Sequence, residues 1–473
     1  MQHSNSQILT KLLPHLKSIK FWLGFFFVIR LIGITNAPLE RGHDWRQCLT
    51  NMISRNLYET SPNPMYPLVD NGGRHEEGII ASEFPVFNFA VYLISIPFGY
   101  AHWYGRLINL ILSTIAAWYF YKLLKTFFSE SIAFNATFLL TVSIWFGFSR
   151  KSMPDVFSMS LMLIAIYHAF MFFKLKNRWH LAVYGILAVL AVLAKLPAIF
   201  AFSILALPIL HNTNRFLPKI SMITVSLAVC SLAYWWYFVW GDYLFKTWGY
   251  QLFFPRTLSE GIQESRPYWD KSLEQFYFSA FQSFIAFAVF IFGVFISFKN
   301  GLKIPLGVLG VTLPVFIAFA LKTGNVFPLH SYYIIPFVPV MALIAGIGLT
   351  YLPNKIYPWL LVFIAIESIA NQHHDFFIKS SEIFKLSLEE EINTYVPLKE
   401  KIALAGNTGP QYMYFAHRKG WGLSQEQTLD TSYMNFLINR NYNYLVVVKR
   451  EFSTLPDYPV ISETKNLWIY KLK

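Results

Sequence analysis

Charged residues are scarce in this chain of 473 residues: Asp, Glu, Lys and Arg make up 14%, whereas a soluble domain carries about 25%. Cysteine is also scarce, because Cys48 and Cys230 are the only two, and this excludes a disulfide scaffold. Hydrophobic residues make up 55%, which excludes a disordered chain. The net charge of +13 is not gathered into a basic stripe with interleaved aromatics, so we predict no nucleic-acid partner.

Long uncharged runs fill most of the chain before residue 372. They cover 107–121, 131–149, 156–173, 179–194, 196–214, 220–241, 275–298, 304–321, 323–354 and 356–366, and a further one begins at 21–29. A helix needs about 20 mainly apolar residues to cross a bilayer, and backbone groups in lipid must be satisfied internally. The sequence therefore predicts an α-helical polytopic membrane protein whose lipid partners surround these helices.

Lysine and arginine in the short connections predict the orientation. Basic residues such as Lys122, Lys125, Lys174 and Lys176 mark loops that we expect on the cytoplasmic side. The alternation is consistent if the 84–100 segment lies along the outer interface instead of crossing. The prediction is about eleven spans, with the N-terminus inside and the C-terminal region outside.

The first outer loop, residues 36–104, is unusually long. Loops of this length are usually functional or disordered. This one has apolar residues throughout, with helix-like stretches at 48–58 and 86–96, so we expect it to be folded.

Residues 372–473 differ in composition from the rest, because about 23% of them are charged against about 11% elsewhere. Strand-like segments occur at 402–405, 444–448 and 467–472, and a helix-like segment occurs at 426–439. We predict a small α/β domain. Its role is either to stabilise the protein or mediate an interaction, or to act as a lid or acceptor platform over the cavity.

Five motifs occur in order along the chain. They are HDWRQ at 43–47, SEFPVFNF at 82–89, SRKSMPD at 149–155, LAVLAKLPAIF at 190–200 and HSYYIIPFVPVMALIAGIGL at 330–349. Together they resemble GT-C glycosyltransferases of the protein-mannosyltransferase type, which include bacterial aminoarabinose transferases. The resemblance implies a GT-C catalytic domain at 1–371, including the 36–104 loop, and an extracytoplasmic domain at 372–473. It also implies inverting transfer of a sugar from a polyprenyl-phosphate donor, at the outer face of a bacterial plasma membrane, to a lipid, glycan or protein.

The chemistry of such a transfer indicates which residue types to look for. The reaction passes through an oxocarbenium-like state, and inversion needs a base for the acceptor. The departing lipid phosphate needs cations rather than a general acid. Asp44 is the candidate base, with Glu40 in reserve and a helix cap as the alternative role. Arg46 is a candidate phosphate ligand, or else a partner of a loop carboxylate.

The resemblance adds further candidates on the outer side. Glu83 and Asp155 are expected in the catalytic cavity, although Glu83 could simply be solvated and Asp155 could cap its helix. The candidate donor-phosphate ligands, besides Arg46, are Arg150, Lys195, His330, Tyr332 and Tyr333. The alternative is snorkelling for Lys195 and an interfacial aromatic belt for Tyr332 and Tyr333. For Arg150 it is solvation in the loop. Asp44 and Glu83 are also candidate ligands of a divalent cation, but no spacing requires a metal.

Two other functions compete with the transferase. If the protein were a secondary transporter, we would expect internal repeats and ionisable residues deep within its spans. The acidic residues of this chain are instead gathered in the outer loops. A polysaccharide ligase or polymerase also uses lipid-linked sugars, but its main outer loop is expected late in the chain.

Overall fold

The computed structural model describes residues 16–72, 77–210, 216–252, 256–452 and 456–473. Contacts divide the chain into two compact units. The first comprises Met1–Ile34, Arg106–Trp236 and Phe254–Phe376, and the second comprises Thr35–Gly105, Tyr237–Phe253 and Phe377–Lys473. The first outer loop is therefore grouped with the C-terminal region. Part of the predicted 196–214 run lies outside the described residues.

The first unit is built from helices. They are Ile19–Arg30, Tyr104–Phe127, Glu130–Val142, Trp145–Phe148, Pro154–Leu175, Arg178–Ala194, Leu196–Leu205 (3₁₀), Ala206–Leu210, Phe216–Tyr234, Trp235–Trp240 (π), Leu258–Ser265, Arg266–Tyr268 (3₁₀), Trp269–Glu274, Gln275–Ser279 (π), Phe284–Lys299, Lys303–Lys322, Val326–Leu329, Ser331–Ile334 (3₁₀), Val338–Thr350, Tyr357–Gln372 and His373–Phe376 (3₁₀).

The number of clear spans is smaller than the uncharged runs predict. Among the described residues, four helices are long and apolar enough to cross a bilayer, or five if the bent pair Leu258–Ser279 and Phe284–Lys299 counts as one. The 323–354 run shows why, since it contains Pro328, Pro336 and Pro339 and folds as three shorter helices. Proline removes a backbone donor and disfavours helix interiors. The prediction of about eleven spans is thus not confirmed.

Glycine allows three of these helices to pack closely. A Cβ added to Gly346 would lie 2.8 Å from the backbone nitrogen of Ala136, and one added to Gly293 would lie 2.0 Å from the carbonyl oxygen of Ile344. Small residues permit such backbone approach in helical membrane proteins. The helices Glu130–Val142, Phe284–Lys299 and Val338–Thr350 form the core of the unit in this way.

The second unit combines helices with one mixed sheet. Its helices are Asp44–Glu59, Val86–Phe98, Gly241–Trp248, Ser380–Ser387 (3₁₀), Leu388–Tyr395, Pro410–Ala416, Gln425–Leu429 and Thr431–Asn439. Its strands are β1 (Ile402–Ala405), β2 (Gly420–Leu423), β3 (Tyr444–Val448), β4 (Val460–Glu463) and β5 (Leu467–Lys471), in the order β2-β1-β3-β5-β4. β1 pairs parallel to β2 and β3, whereas β5 pairs antiparallel to β3 and β4.

The first outer loop and the C-terminal region share one hydrophobic core. Cys48 and Met52 of the Asp44–Glu59 helix are fully buried in the same cluster as Ile402 and Val446 of the sheet. The opposite face of the sheet is covered by the Thr431–Asn439 helix, which contributes Met434 and Leu437. Burying both sheet faces is what allows such short parallel strands to be stable.

Most predicted elements of this unit are present. The helix-like stretches at 48–58 and 86–96 are helices, and the three predicted strands are β1, β3 and β5. The predicted 426–439 helix is interrupted at Asp430, whose carboxylate accepts the backbone N–H of Ser432 and caps a new helix. β2 and β4 were not predicted, because Gly-Trp-Gly-Leu and Val-Ile-Ser-Glu are too short to show alternation.

Candidate active site

A buried ion pair joins two helix ends in the first unit. Asp155 is the second residue of the Pro154–Leu175 helix, where proline is tolerated and a carboxylate is favoured by the helix dipole. Lys195 follows directly after the Arg178–Ala194 helix. Its Nζ lies 3.7 Å from Oδ1 of Asp155, and the two side chains are 10% and 6% exposed. Lys195 therefore does not snorkel outward; its charge stays inside the unit.

Two tyrosines flank this ion pair. The Nζ of Lys195 is 5.6 Å from the ring centroid of Tyr332 and 6.0 Å from that of Tyr333, both of which lie on the 3₁₀ helix Ser331–Ile334. His330 precedes this helix, and its ring centroid is 5.3 Å from that of Tyr332. Four of the predicted residues, Asp155, Lys195, Tyr332 and Tyr333, are thus brought together, with His330 next to them.

The same four residues line a small pocket. Its volume is about 10 Å³, room for roughly one water molecule, and Ser158, Met159, Pro197, Ala198, Ile335 and Pro336 complete the lining. Sites for drug-sized ligands measure roughly 300–1,000 Å³, so a phosphate group would enter this pocket only after the lining side chains move. Sequence reasoning missed Ser158, although its position one helical turn after Asp155 was a usable signal. Its hydroxyl donates to the carbonyl oxygen of Ala191.

Arg150 is placed differently from its prediction. Its Nη1 donates to the carbonyl oxygen of Asp375 at 2.6 Å, its Nη2 donates to that of Ile32, and its guanidinium covers the ring of Phe376 at 3.8 Å. Lys151 beside it pairs with the Asp375 carboxylate at 2.8 Å. These contacts connect chain segments inside the unit. Arg150 is not among the residues that line the pocket, and its role as a donor-phosphate ligand stays a prediction.

Asp44, Arg46 and Glu83 belong to the second unit. Asp44 is the first residue of the Asp44–Glu59 helix, and its Oδ1 accepts the backbone N–H of Trp45 at 2.9 Å. His43 before it has a left-handed φ of 63°. This conformation is uncommon outside glycine, and such strain is concentrated at functional sites.

Arg46 pairs with Glu83 rather than with Asp44. Its Nη2 lies 2.6 Å from Oε1 of Glu83, and the side chains are 12% and 18% exposed. Residues two apart on a helix do not face each other, which explains why the sequence neighbours Asp44 and Arg46 separate. Glu83 is therefore a loop carboxylate partner of Arg46, and the phosphate role of Arg46 stays a prediction.

A second buried network anchors the same helix. Arg55 donates to Asp70 at 2.6 Å and covers the ring of Tyr414 at 4.6 Å, while Lys419 lies 2.9 Å from Asp70. Burial opposes the ionisation of Asp70, but the positive charges of Arg55 and Lys419 outweigh it and hold the pKa of this carboxyl below its usual value. The helix that begins at Asp44 is thus fixed to the C-terminal segment by paired charges.

Metal ligation finds little support. Among the described residues, no three His, Cys, Asp or Glu side chains are grouped to hold an ion. Glu83, one of the two candidate ligands, is engaged by Arg46. We therefore derive no step through a metal.

Comparisons with known proteins agree with this fold. Residues 82–236 match the family model described as dolichyl-phosphate-mannose-protein mannosyltransferase. No curated protein matches the chain. The crystal structure of ArnT from Cupriavidus metallidurans bound to undecaprenyl phosphate superposes with a TM-score of 0.60 at 11% identity, over 96% of this chain and 98% of ArnT.

A second solved structure shows the same architecture. The archaeal oligosaccharyltransferase AglB from Archaeoglobus fulgidus, in complex with an inhibitory peptide and a dolichol-phosphate, has a TM-score of 0.52 at 13% identity. The match covers 91% of this chain and 69% of AglB. The resemblance expected from the five motifs is confirmed, and the chain has the fold of the GT-C membrane glycosyltransferases of the protein-mannosyltransferase and ArnT-like group.

Proposed function

We propose that this protein transfers a sugar from a polyprenyl-phosphate donor to an acceptor hydroxyl or amine at the outer face of a bacterial plasma membrane, with inversion at the anomeric carbon. The observation that carries the proposal is the pocket in which Lys195 lies between Asp155 and the two tyrosines Tyr332 and Tyr333. A buried ammonium flanked by two tyrosine rings suits a phosphate monoester or diester. The lipid phosphates bound to ArnT and AglB support the choice of ligand class.

In the proposed reaction, Lys195 holds the donor phosphate. Its ammonium and the hydroxyls of Tyr332 and Tyr333 stabilise the charge that develops on the phosphate as the bond to the sugar breaks. Asp155 holds the ammonium in the pocket, because its carboxylate compensates part of the buried positive charge before the donor arrives. His330, next to Tyr332, is the further candidate donor to the phosphate.

Asp44 is the proposed general base. Its carboxylate takes the proton from the acceptor as the acceptor attacks the anomeric carbon, and the polyprenyl phosphate leaves with the electrons of the broken C–O bond. Attack on the face opposite the leaving group inverts the configuration. The start of the helix and the strained His43 before it support this assignment. Glu83 helps to shape the site, because its carboxylate holds the guanidinium of Arg46 in place.

A donor-cleavage assay tests the proposal. Membranes containing the full chain are incubated with a panel of undecaprenyl-phosphate sugars, and the release of undecaprenyl phosphate is measured. The Asp44→Asn variant should lose about 10²–10⁴-fold in rate, as expected for a missing general base. Asp242→Asn, an exposed carboxylate paired with Lys246, is the matched control and should leave the rate unchanged.

The same panel separates the competing functions. Inclusion of polyprenyl-linked oligosaccharides distinguishes a ligase or polymerase, which would cleave those donors in preference to single sugars. Equal donor cleavage by wild type and Asp44→Asn would contradict the assignment of the base. Movement of the lipid-linked sugar without cleavage would indicate a transporter.

A further inference from the structure

The backbone at Lys195 forms a break between two kinds of helix. The Arg178–Ala194 helix ends before it, and the 3₁₀ helix Leu196–Leu205 begins after it. Lys195 itself is extended, with φ of −160° and ψ of 115°. Its N–H donates to the carbonyl oxygen of Ala191 at 3.0 Å, which closes the last turn of the first helix. Backbone groups at such a helix end are commonly held by side chains of neighbouring elements.

Ser158 provides a side-chain contact of this kind. Its hydroxyl oxygen lies 2.8 Å from the carbonyl oxygen of Ala191 and 3.4 Å from that of Lys195. The side chain is buried, and its single hydroxyl proton is shared between the two carbonyl oxygens. The shorter contact, to Ala191, is the stronger one.

The same turn of helix contacts Lys195 at both ends of the residue. Ser158 lies three residues after Asp155 on the Pro154–Leu175 helix, so the two side chains share one face. The carboxylate of Asp155 lies 3.7 Å from the Lys195 ammonium, and the hydroxyl of Ser158 contacts the Lys195 backbone. The ammonium and the backbone of Lys195 are therefore both placed relative to one short segment.

A lysine ammonium needs a fixed backbone to be well placed, because it is carried on a flexible four-carbon stem. We propose that Ser158 is a positioning residue, which holds the backbone of Lys195 so that its ammonium meets the donor phosphate. The hydrogen bond keeps this backbone in place while the side chains that line the pocket move to admit the phosphate. The inference rests on the proposed function, since it takes Lys195 as a ligand of the donor phosphate.

A double-mutant cycle with Lys195 tests the positioning role. Binding of undecaprenyl phosphate to the solubilised full chain is titrated for wild type, Ser158→Ala, Lys195→Gln and the double variant. Ser158→Ala should weaken binding about threefold to tenfold, the size of one lost hydrogen bond. In the Lys195→Gln background the same substitution should have little further effect, because the hydroxyl acts through Lys195. An equal effect in both backgrounds would overturn the proposal, since it would mean a general change in the fold or a direct contact with the phosphate.

Ser160→Ala is the matched control for this cycle. Ser160 lies on the same helix and is fully buried, and its hydroxyl has no hydrogen-bond partner among the residues that the structure describes. Ser160→Ala should therefore bind undecaprenyl phosphate as wild type does. A loss of binding as large as that of Ser158→Ala would overturn the proposal, because any buried hydroxyl of this helix would then have the same effect.

Ser158→Cys gives an independent check, because its thiol keeps a weak donor at the same position. It should recover part of the binding that Ser158→Ala loses. If Ser158→Ala binds as wild type does while Lys195→Gln binds more weakly, the positioning role is overturned and the proposed donor site stands. If Lys195→Gln binds as wild type does, the proposed donor site fails, and the role of Ser158 fails with it.

Discussion

The ammonium of Lys195 lies 3.7 Å from the carboxylate of Asp155 in a pocket that Tyr332 and Tyr333 help to line. This separation is longer than a hydrogen bond. The two opposite charges therefore compensate each other without a direct hydrogen bond between them. An incoming phosphate can therefore draw the ammonium toward itself, and the ion pair keeps the charge stable until then. Three of the following predictions depend on this relationship.

Removing the Asp155 carboxylate should make the stability of the fold depend on bound undecaprenyl phosphate. Asp155→Asn takes away the carboxylate that lies 3.7 Å from the Lys195 ammonium, which lowers the apparent melting temperature of the solubilised chain. Undecaprenyl phosphate supplies the missing anion, so it should raise the melting temperature of Asp155→Asn more than that of wild type. Equal shifts in a thermal-stability assay would show that the phosphate does not bind beside Lys195.

The hydroxyls of Tyr332 and Tyr333 should contribute to donor binding. Tyr332→Phe and Tyr333→Phe each remove a donor to a charged group, which is worth about 1.5–3 kcal/mol when the bond is made. We expect donor KM to rise about tenfold or more for at least one of them. Tyr277→Phe, a partly exposed tyrosine of the same unit, is the control. Unchanged KM in both variants would remove the tyrosines from the donor site.

The buried Asp70 should be essential for the stability of the second unit. Asp70→Asn leaves Arg55 and Lys419 without their carboxylate, and breaking a buried pair costs about 3–5 kcal/mol. Limited proteolysis of the full chain should show cleavage in the second unit at a lower temperature than in wild type. The exposed Asp457→Asn serves as control. Because the pKa of Asp70 is lowered in the folded state, this stabilisation is present above about pH 4 and is lost as the pH falls through the folded pKa.

His417 should give the second unit an opposite dependence on pH. Its Nε2 lies 2.9 Å from Glu59 and its Nδ1 lies 2.8 Å from Glu389, so both ring nitrogens donate when the imidazole is protonated. The hydrogen bond to Glu59 raises its pKa, against the opposing effects of burial and of Arg55. A raised pKa stabilises the fold below about pH 6.5, and this stabilisation is lost as the pH rises through the folded value.

The measurement is proteolytic stability of the second unit across neutral pH. Wild type should lose stability as the pH rises, whereas His417→Gln should show a flatter profile. A profile that is identical in the two proteins would contradict the paired geometry of His417.

The sequence predicted individual helices and strands better than it predicted which side chains contact each other. The apolar periodicity of 48–58 and the β-branched run at 444–448 indicated a helix and a strand that the structure contains. The meeting of Asp155, Lys195 and Tyr332 follows from the packing of three helices, and no spacing in the chain encodes it. The motif resemblance supplied these residues as candidates, but only the structure shows that they line one pocket.

Adjacency in sequence did not predict the contacts of two arginines. Asp44 and Arg46 suggested a base with its cation, but the helical geometry directs Arg46 to Glu83. Arg150, next to a span in the sequence, donates to the carbonyl oxygens of Ile32 and Asp375. A buried arginine with carbonyl partners cannot be distinguished from a phosphate ligand by residue type, because both roles use the same guanidinium donors.

The most direct test of the account is the binding of undecaprenyl phosphate to the purified full chain and to Lys195→Gln, measured by native mass spectrometry or titration. Lys299→Gln, which neutralises an exposed lysine of the same unit, is the control. The account predicts that wild type and Lys299→Gln bind alike and that Lys195→Gln binds at least about tenfold more weakly, the loss of one charge-assisted contact. Equal affinity of Lys195→Gln and wild type would contradict it.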